Sequence, residues 1–283
     1  MPLGAHMSIA GGVGNALLRG KEVGCDIVQI FTKSSNQWKA RPLAEEEIKE
    51  FKKNSRDTGI WPVLAHNSYL INLASPDNAL YEKSGDAMLI EMERAEMLGL
   101  PYIIMHPGAH VGSGEDAGLA RIAGSLNNLF EKTKGYKVSL LLETTAGQGT
   151  VLGHRFEHIA EIIAHVKDNK KVGVCLDTCH SYVAGYDIKK RYEAVFQEFD
   201  KIIGMKRLKA FHINDTLKGL GSRVDRHWHI GKGELGLETF KRLIKDDRFK
   251  ELPMILETPK GVDEQGNDLD IVNLGILKEL RRK

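Results

Sequence analysis

Short apolar runs rich in Val, Ile and Leu alternate with helical patterns about eight times along this chain. The runs cover residues 3–7, 26–31, 61–66, 102–106, 138–143, 172–177, 208–213 and 253–257. Between them, "LAEEEIKEFKKNSRDTG" is amphipathic, acidic at its start and closed by Gly59, and "NALYEKSGDAMLIEMERAEMLG" has apolar residues at helical spacing and ends at Gly99. The stretches "EDAGLARIAGSLNNLFEKTKG" and "LETFKRLIKDD" read the same way. Strand alternating with helix means parallel pairing through helical crossovers. Repeated eight times in 283 residues, it predicts a closed (β/α)8 TIM barrel rather than an open doubly wound sheet. No Gly/Ser linker, low-complexity tract or break in composition divides the chain, so a single domain over 1–283 is expected.

Charge and cysteine usage narrow the setting. The formal net charge is +2, which excludes a bulk polycation but permits a local basic patch. Cys25, Cys175 and Cys179 do not form a disulfide framework. The start "MPLGAHMSIAGG" lacks the basic and apolar regions of a secretory signal, and no apolar run approaches the roughly 20 residues of a membrane span. A cytoplasmic protein with no membrane contact is expected.

The strand ends carry the chemistry. In a barrel of this kind the reacting groups sit at the C-terminal mouth. Here "WPVLAH" ends in His66, "YIIMH" in His106, "KVSLLLE" in Glu143, "VGVCLD" in Asp177 and "PMILE" in Glu257, while "LKAFHIND" carries His212 near its end. One such residue would be an ordinary polar cap on a strand. Several carboxylates at one mouth repel one another and raise each other's pKa unless cations lie among them. His, Asp and Glu together are the donors that zinc or manganese accepts.

Beyond the strands, His180 follows Asp177 by three residues, and "GSRVDRHWHIGKG" carries Asp225, His227 and His229. In an extended segment those three point to one side, so two of them can grip one ion. His66, His106, Glu143, Asp177, His180, His212, Asp225, His227 and Glu257 exceed the needs of one tetrahedral ion and suffice for about three, if a carboxylate bridges. Three divalent ions carry about +6 against about −4 from the carboxylates, and the remaining charge suits an anionic phosphodiester with hydroxide.

In order along the chain, "GAHMS", "FTKSSNQW", "HNSYLINLASP", "HPGAHVG", "LETTAGQG", "CLDTCHSYVAGYD", "FHINDT", "GSRVDRHWHIGKG" and "ILETP" closely resemble endonuclease IV, the zinc-dependent apurinic/apyrimidinic endonuclease family. The segments run from Gly4 to Pro259. The resemblance implies three zinc sites. His66, His106 and Glu143 would hold the first ion. Glu143 as a bridge, with Asp177, His212 and Glu257, would hold the second, and His180, Asp225 and His227 the third. Manganese is acceptable at one position. It further implies hydrolysis of duplex DNA on the 5′ side of an abasic site in base excision repair, leaving a 3′-hydroxyl and a 5′-deoxyribose phosphate. Trimming of blocked 3′ ends would follow, with Glu143 or Glu257 orienting or deprotonating the attacking water. No obligatory protein partner is implied.

With so small a net charge, DNA must be gripped by loops. Lys33, Lys39 and Arg41 follow the second strand, Lys189, Lys190 and Arg191 the sixth, and Lys218, Arg223, Arg226 and Lys232 the seventh. Basic loops beside a metal mouth suit phosphate contact. By resemblance, Tyr69 and Leu70 wedge into the base stack and sharpen a kink. Asn36 stands where the family often has arginine; it keeps hydrogen-bonding capacity but brings no charge. Trp228 and His229 also depart from the usual pattern. His110, His154, His158 and His165 are read as structural, His6 as supporting the ligands from behind, and Cys179 as not a ligand. The competing reading is a metal-dependent sugar isomerase or epimerase, which shares the barrel but needs two ions at most and no Asp-x-His pair after the seventh strand.

Overall fold

A computed structural model describes residues 1–282. Strand β1 (Leu3–His6) leads through α1 (Asn15–Glu22) to β2 (Ile27–Phe31), and α2 (Glu45–Thr58) leads to β3 (Val63–His66). The pattern continues through α3 (Asn78–Leu98), β4 (Tyr102–Met105), α4 (Glu115–Lys132), β5 (Ser139–Glu143) and α5 (Phe156–His165). Strand β6 (Val172–Asp177) runs directly into α6 (Thr178–Ala184), and α7 (Tyr192–Ile202) precedes β7 (Leu208–His212). A short ribbon of β8 (Asp215–Thr216) and β9 (His227–Trp228) then stands apart, before α8 (Leu237–Lys245), β10 (Met254–Leu256) and α9 (Leu269–Arg282).

The larger sheet closes on itself in the order β1-β10-β7-β6-β5-β4-β3-β2. Every neighbouring pair in it is parallel. This is the TIM barrel that the alternation predicts. Local chemistry sets the element ends. Glu45, Glu46 and Glu47 crowd the first turn of α2, where the helix dipole favours anions, and Gly59 closes it with φ 71°. The Asp77 side chain caps α3 by accepting from the Leu80 N–H at 2.9 Å. Strands β3 and β10 begin one residue after Pro62 and Pro253, later than the apolar runs suggest, because proline has no N–H to give to the ladder.

Two layers of side chains fill the barrel. Ile27, Leu64, Ile104, Leu141, Cys175, Ala210 and Ile255 form a closed apolar layer, each with 0% exposure. From β1, only Gly4 fits at this level, since a Cβ there would lie 1.9 Å from the Ile27 carbonyl oxygen. A separate, larger core, with Val28, Ile30, Val63, Met105 and Leu142 among its residues, lies between the sheet and the helices. Strand side chains alternate faces, so the next inward position is two residues on. Counting two on from Gly4 and the seven apolar residues reaches His6, Gln29, His66, His106, Glu143, Asp177, His212 and Glu257. The barrel thus changes from wholly apolar to wholly polar in one step toward its mouth. Among the described residues, no helix is long and apolar enough to cross a membrane.

Gly4→Ala should therefore destabilise the barrel by about 1–3 kcal/mol through overpacking. Urea unfolding of variant and parent measures this, and equal stability would show that β1 and β2 can separate freely.

Candidate metal centre

Six of the eight residues in the polar layer are donors that face one another. His66, His106 and Glu143 form one metal-competent group, and Glu143, Asp177, His212 and Glu257 form a second that shares Glu143. Strand geometry alone supplies no third group. That comes from segments beyond the strands. Asp177 is the N-cap of α6, its Oδ1 accepting from the His180 N–H at 2.7 Å, and this turn swings His180 back over the mouth. The β8–β9 ribbon brings in His227, and His180, Asp225 and His227 form the third group.

Glu143 lies at the centre with 0% exposure. Its Oε2 is 3.1 Å from His66 Nε2 and 3.3 Å from His106 Nε2. Its Oε1 is 3.0 Å from His212 Nδ1 and 3.1 Å from His180 Nδ1. His212 Nδ1 also lies 3.1 Å from Glu257 Oε2. In the third group, His180 Nε2 is 3.1 Å from Asp225 Oδ2, and His227 Nε2 is 3.4 Å from Asp225 Oδ1.

With the rings neutral, as metal ligation requires, the hydrogen bonds leave lone pairs pointing inward. His66 Nδ1 donates to the Asn67 carbonyl at 2.8 Å, so Nε2 of the neutral ring is free toward Glu143. His180 Nδ1 donates to the Thr144 carbonyl at 2.9 Å, and His227 Nδ1 to the Glu257 carbonyl at 3.3 Å. The two Nε2 atoms then face each other 3.2 Å apart beside a carboxylate. Between neutral rings, two lone pairs in that position need a proton or a metal cation between them. Glu143 Oε1 and His212 Nδ1 are buried without hydrogen-bond partners, which completes the case that these groups fit metal ions.

Charge perturbations follow the same geometry. Burial pushes the Glu143 carboxyl up, but the charges of His212 and His106 outweigh it and hold it well below its ordinary value. Burial opposes a charged His66, yet the hydrogen bond and charge of Glu143 raise it. Against the same burial, Asp177, Asp225 and Glu143 raise His180 well above its usual value. Burial likewise opposes a charged His212, and Cys175, Glu143 and Glu257 together raise it well above its usual value. Asp225 is brought down to about 2, burial being overcome by the hydrogen bond and charge of His180. Protons on imidazoles here serve as substitutes for cations.

Other residues marked in the sequence fall as follows. Tyr69 is 64% exposed at the rim, its ring centroid 5.4 Å from Phe31 and 5.6 Å from His66, with Leu70 half-buried beside it. Asn36, Lys39, Lys190, Arg191, Lys218, Arg223, Arg226 and Lys232 are exposed or half-exposed. Lys189 is exposed too, its Nζ donating to the Glu234 carbonyl at 2.5 Å. Lys33 is a correction. It is turned inward and buried, its ammonium 3.0 Å from Glu91 Oε1 and donating to the Gln37 carbonyl at 2.6 Å. A buried charge needs a partner, and Glu91 supplies it, so this lysine is not on the DNA-facing surface. Arg41 is held by Glu47 in a two-pronged pair at 2.5 and 2.9 Å.

His229 turns away, with its Nδ1 accepting from Asn273 Nδ2 at 3.1 Å. Cys179 lies near Asp177 and His227, but burial keeps its thiol protonated by pushing it up to about 12. Glu115, His154 and His158 form another metal-competent group. There, His158 Nδ1 accepts from the Gly153 N–H at 3.3 Å, so its Nε2 carries the proton and donates to Glu115 at 3.1 Å. Arg155 also lies 3.6 Å from that carboxylate, and the cluster is closed without a metal. His110 accepts from the Gly114 N–H, and His165 is exposed.

Sequence reasoning missed Gln29 and Asn214. Asn214 Nδ2 donates to Asp177 Oδ2 at 2.8 Å while its Oδ1 accepts from the Glu257 N–H at 2.8 Å, tying two of the donors together. The signal for Gln29 was its parity with Ile27, at a strand end where neighbouring strands also place polar residues.

Fold and site define a xylose isomerase-like TIM barrel with adjoining His and carboxylate donor groups at its mouth. The family model of that description matches residues 17–275. A curated relative from Chloroflexus aurantiacus, probable endonuclease 4, is 50% identical over 279 residues, covering 98% of this chain and 97% of its own. The crystal structure of endonuclease IV from Thermus thermophilus superposes with a TM-score of 0.88 at 35% identity, covering 100% of this chain and 99% of that one. The chain belongs to the endonuclease IV family. A D-tagatose 3-epimerase-like protein, at 20% identity and a TM-score of 0.75 over 100% of this chain and 97% of its own, shares the fold alone.

Because neighbouring carboxylates raise His66, His180 and His212 against burial, a divalent cation binding at these nitrogens would displace protons. Zinc added to metal-free protein should release protons, and affinity should fall as pH drops from about 8 to about 6. Indicator titration in weak buffer reads both effects, and binding without proton release or pH dependence would remove these imidazoles from the binding site.

Proposed function

We propose that this protein is a zinc-dependent DNA repair endonuclease that hydrolyses duplex DNA on the 5′ side of abasic sites. The products are a 3′-hydroxyl and a 5′-deoxyribose phosphate, and blocked 3′ ends are trimmed at the same centre. The observation that carries this reading is the set of three adjoining donor groups, two of them sharing Glu143, which exceeds what a sugar isomerase requires. The nine donors favour three zinc ions, with manganese acceptable at one position. Bound there, the ions would supply positive charge for the phosphodiester oxygens and acidify the attacking water.

The side chains have distinct parts in this reading. Glu143 holds its neighbours together across its two oxygens. Glu257, at the edge of the group and partly exposed, is placed to orient the attacking water or take its proton, a role open to Glu143 as well. Arg223 and Arg226 lie on the exposed approach to the third group and suit phosphate contacts. Arg223 is exposed, its backbone at φ 54° and its N–H donating to the Val183 carbonyl at 2.9 Å. Asn36 offers an uncharged hydrogen bond to the DNA. Tyr69 and Leu70 fill the gap in the stack, and the missing base pair makes extrusion of the abasic nucleotide cheap.

The direct test is a labelled abasic duplex with and without chelator. Zinc-loaded protein should nick it 5′ to the lesion, and chelator should abolish the cut. Glu143→Gln should lower cleavage about 100-fold or more, the scale of several kcal/mol of transition-state charge stabilisation, while DNA binding changes far less. Near-parental turnover by a fully loaded Glu143→Gln protein would dismiss the bridging role.

Replacing Tyr69 and Leu70 together by Ala should weaken binding to abasic duplex by about 1–3 kcal/mol without loss of metal. Undamaged duplex should be bound almost as before, since phosphate contacts remain. Equal losses on both duplexes at fixed salt would show that the pair is core rather than wedge.

A further inference from the structure

Gln29 lies in the polar layer with 0% exposure and carries no charge to offer an ion. Its amide is nevertheless fully committed. The Oε1 atom accepts from His212 Nε2 at 2.7 Å. The Nε2 group donates to Glu257 Oε1 at 2.6 Å and to His6 Nδ1 at 2.9 Å. These contacts allow one arrangement. A carboxylate can only accept, so the amide nitrogen must face Glu257 and the amide oxygen must face His212. The neutral His212 ring, the form that ligates a metal, then carries its proton on Nε2. Its Nδ1 becomes the lone pair that points at Glu143 Oε1 and Glu257 Oε2, and this is the buried atom without a partner.

The same amide occupies Glu257 Oε1, which leaves Oε2 as the oxygen turned toward His212 and the centre. His6 stands behind, close to Glu257 Oε1 at 3.7 Å and packed at 4.4 Å on Phe31, so the amide cannot swing away. One neutral side chain thereby fixes the tautomer of an imidazole and selects the inward oxygen of a carboxylate, both in the same donor group.

We infer that Gln29 is the positioning residue for the ion held by Glu143, Asp177, His212 and Glu257, and that it acts on this ion selectively. The inference rests on the reading that His212 and Glu257 are ligands. The other two groups are oriented by different partners, since His66 is held by the Asn67 carbonyl and His180 and His227 by the Thr144 and Glu257 carbonyls. A neutral amide is the suitable choice in this position. A carboxylate would serve His212 but repel Glu257, and an apolar side chain would leave the ring free to present N–H toward the centre.

The test compares the parent with Gln29→Met, which keeps the volume and removes the hydrogen bonds, and with Gln29→Asn, which keeps the amide but draws it back by one methylene. Each metal-free protein is titrated with zinc against a chromophoric chelator, ions per chain are counted by elemental analysis, and folding is checked by circular dichroism. One ion of the set should bind about 10–100-fold more weakly in Gln29→Met, the scale of losing an outer hydrogen bond to a ligand, while the others keep their affinity. Gln29→Asn should weaken the same ion, and it carries the test if the Met variant does not fold. Unchanged affinities in a folded variant would overturn the inference, and so would an equal loss across all ions, which would mark Gln29 as a general support of the mouth. A parent protein that takes up no zinc would fail earlier and overturn the ligand reading itself.

Discussion

A carboxylate removed from water must be answered by positive charge or hydrogen bonds, and Glu143 is removed completely. Four imidazoles, from His66, His106, His180 and His212, approach it within 3.3 Å. They arrive from β3, from the residue after β4, from α6 and from β7, so the position of each element is tied to one pair of oxygen atoms. Protonated, the rings can neutralise the carboxylate, and the raised His66, His180 and His212 show that demand. Metal cations would do the same while satisfying the orphaned Glu143 Oε1 and His212 Nδ1.

The barrel makes such a group possible by a change of layer. At the level of Ile27, Leu64 and Ile104 the interior is apolar and wholly buried. Two residues later along every strand the inward side chain is polar. Burial therefore comes from the apolar floor and the surrounding wall, while access comes only from the mouth. Eight strands offer eight positions at this level, and Gln29 and His6 use two of them to brace the others. The third donor group has to rise above this layer. The α6 turn after Asp177 and the ribbon carrying His227 provide it.

The outer rim obeys different physics. Its charges are solvated and individually weak, so position matters more than number. Lys33 illustrates this. Although basic and next to the mouth in sequence, it pairs with Glu91, which also accepts from Thr32 Oγ1 at 2.5 Å and from the Ser68 N–H at 3.3 Å. That buried knot anchors the start of the loop bearing Asn36 and the start of the segment bearing Tyr69. Lys33 thus bears on the rim by fixing what stands above it.

The sequence alone determined the alternation of strands and helices, and with it the closed parallel barrel, because periodicity and turn residues act over a few positions. It also determined that His66, His106, Glu143, Asp177, His212 and Glu257 gather at one end, since each stands at or next to the end of an apolar run. What only the tertiary structure decided is contact between residues far apart in the chain. The resemblance implied that Asp177 and His180 serve different ions and that His229 is no ligand, but only the fold gives the reason: Asp177 caps a helix on which His180 sits, and Asn273 on α9 captures the His229 ring. Lys33 turns inward because Glu91 is waiting in α3. Gln29, an ordinary amide in an apolar run, gains its place from His212, 183 residues away, and Glu257, 228 residues away. Such pairings depend on register around a closed sheet, and no local pattern records them.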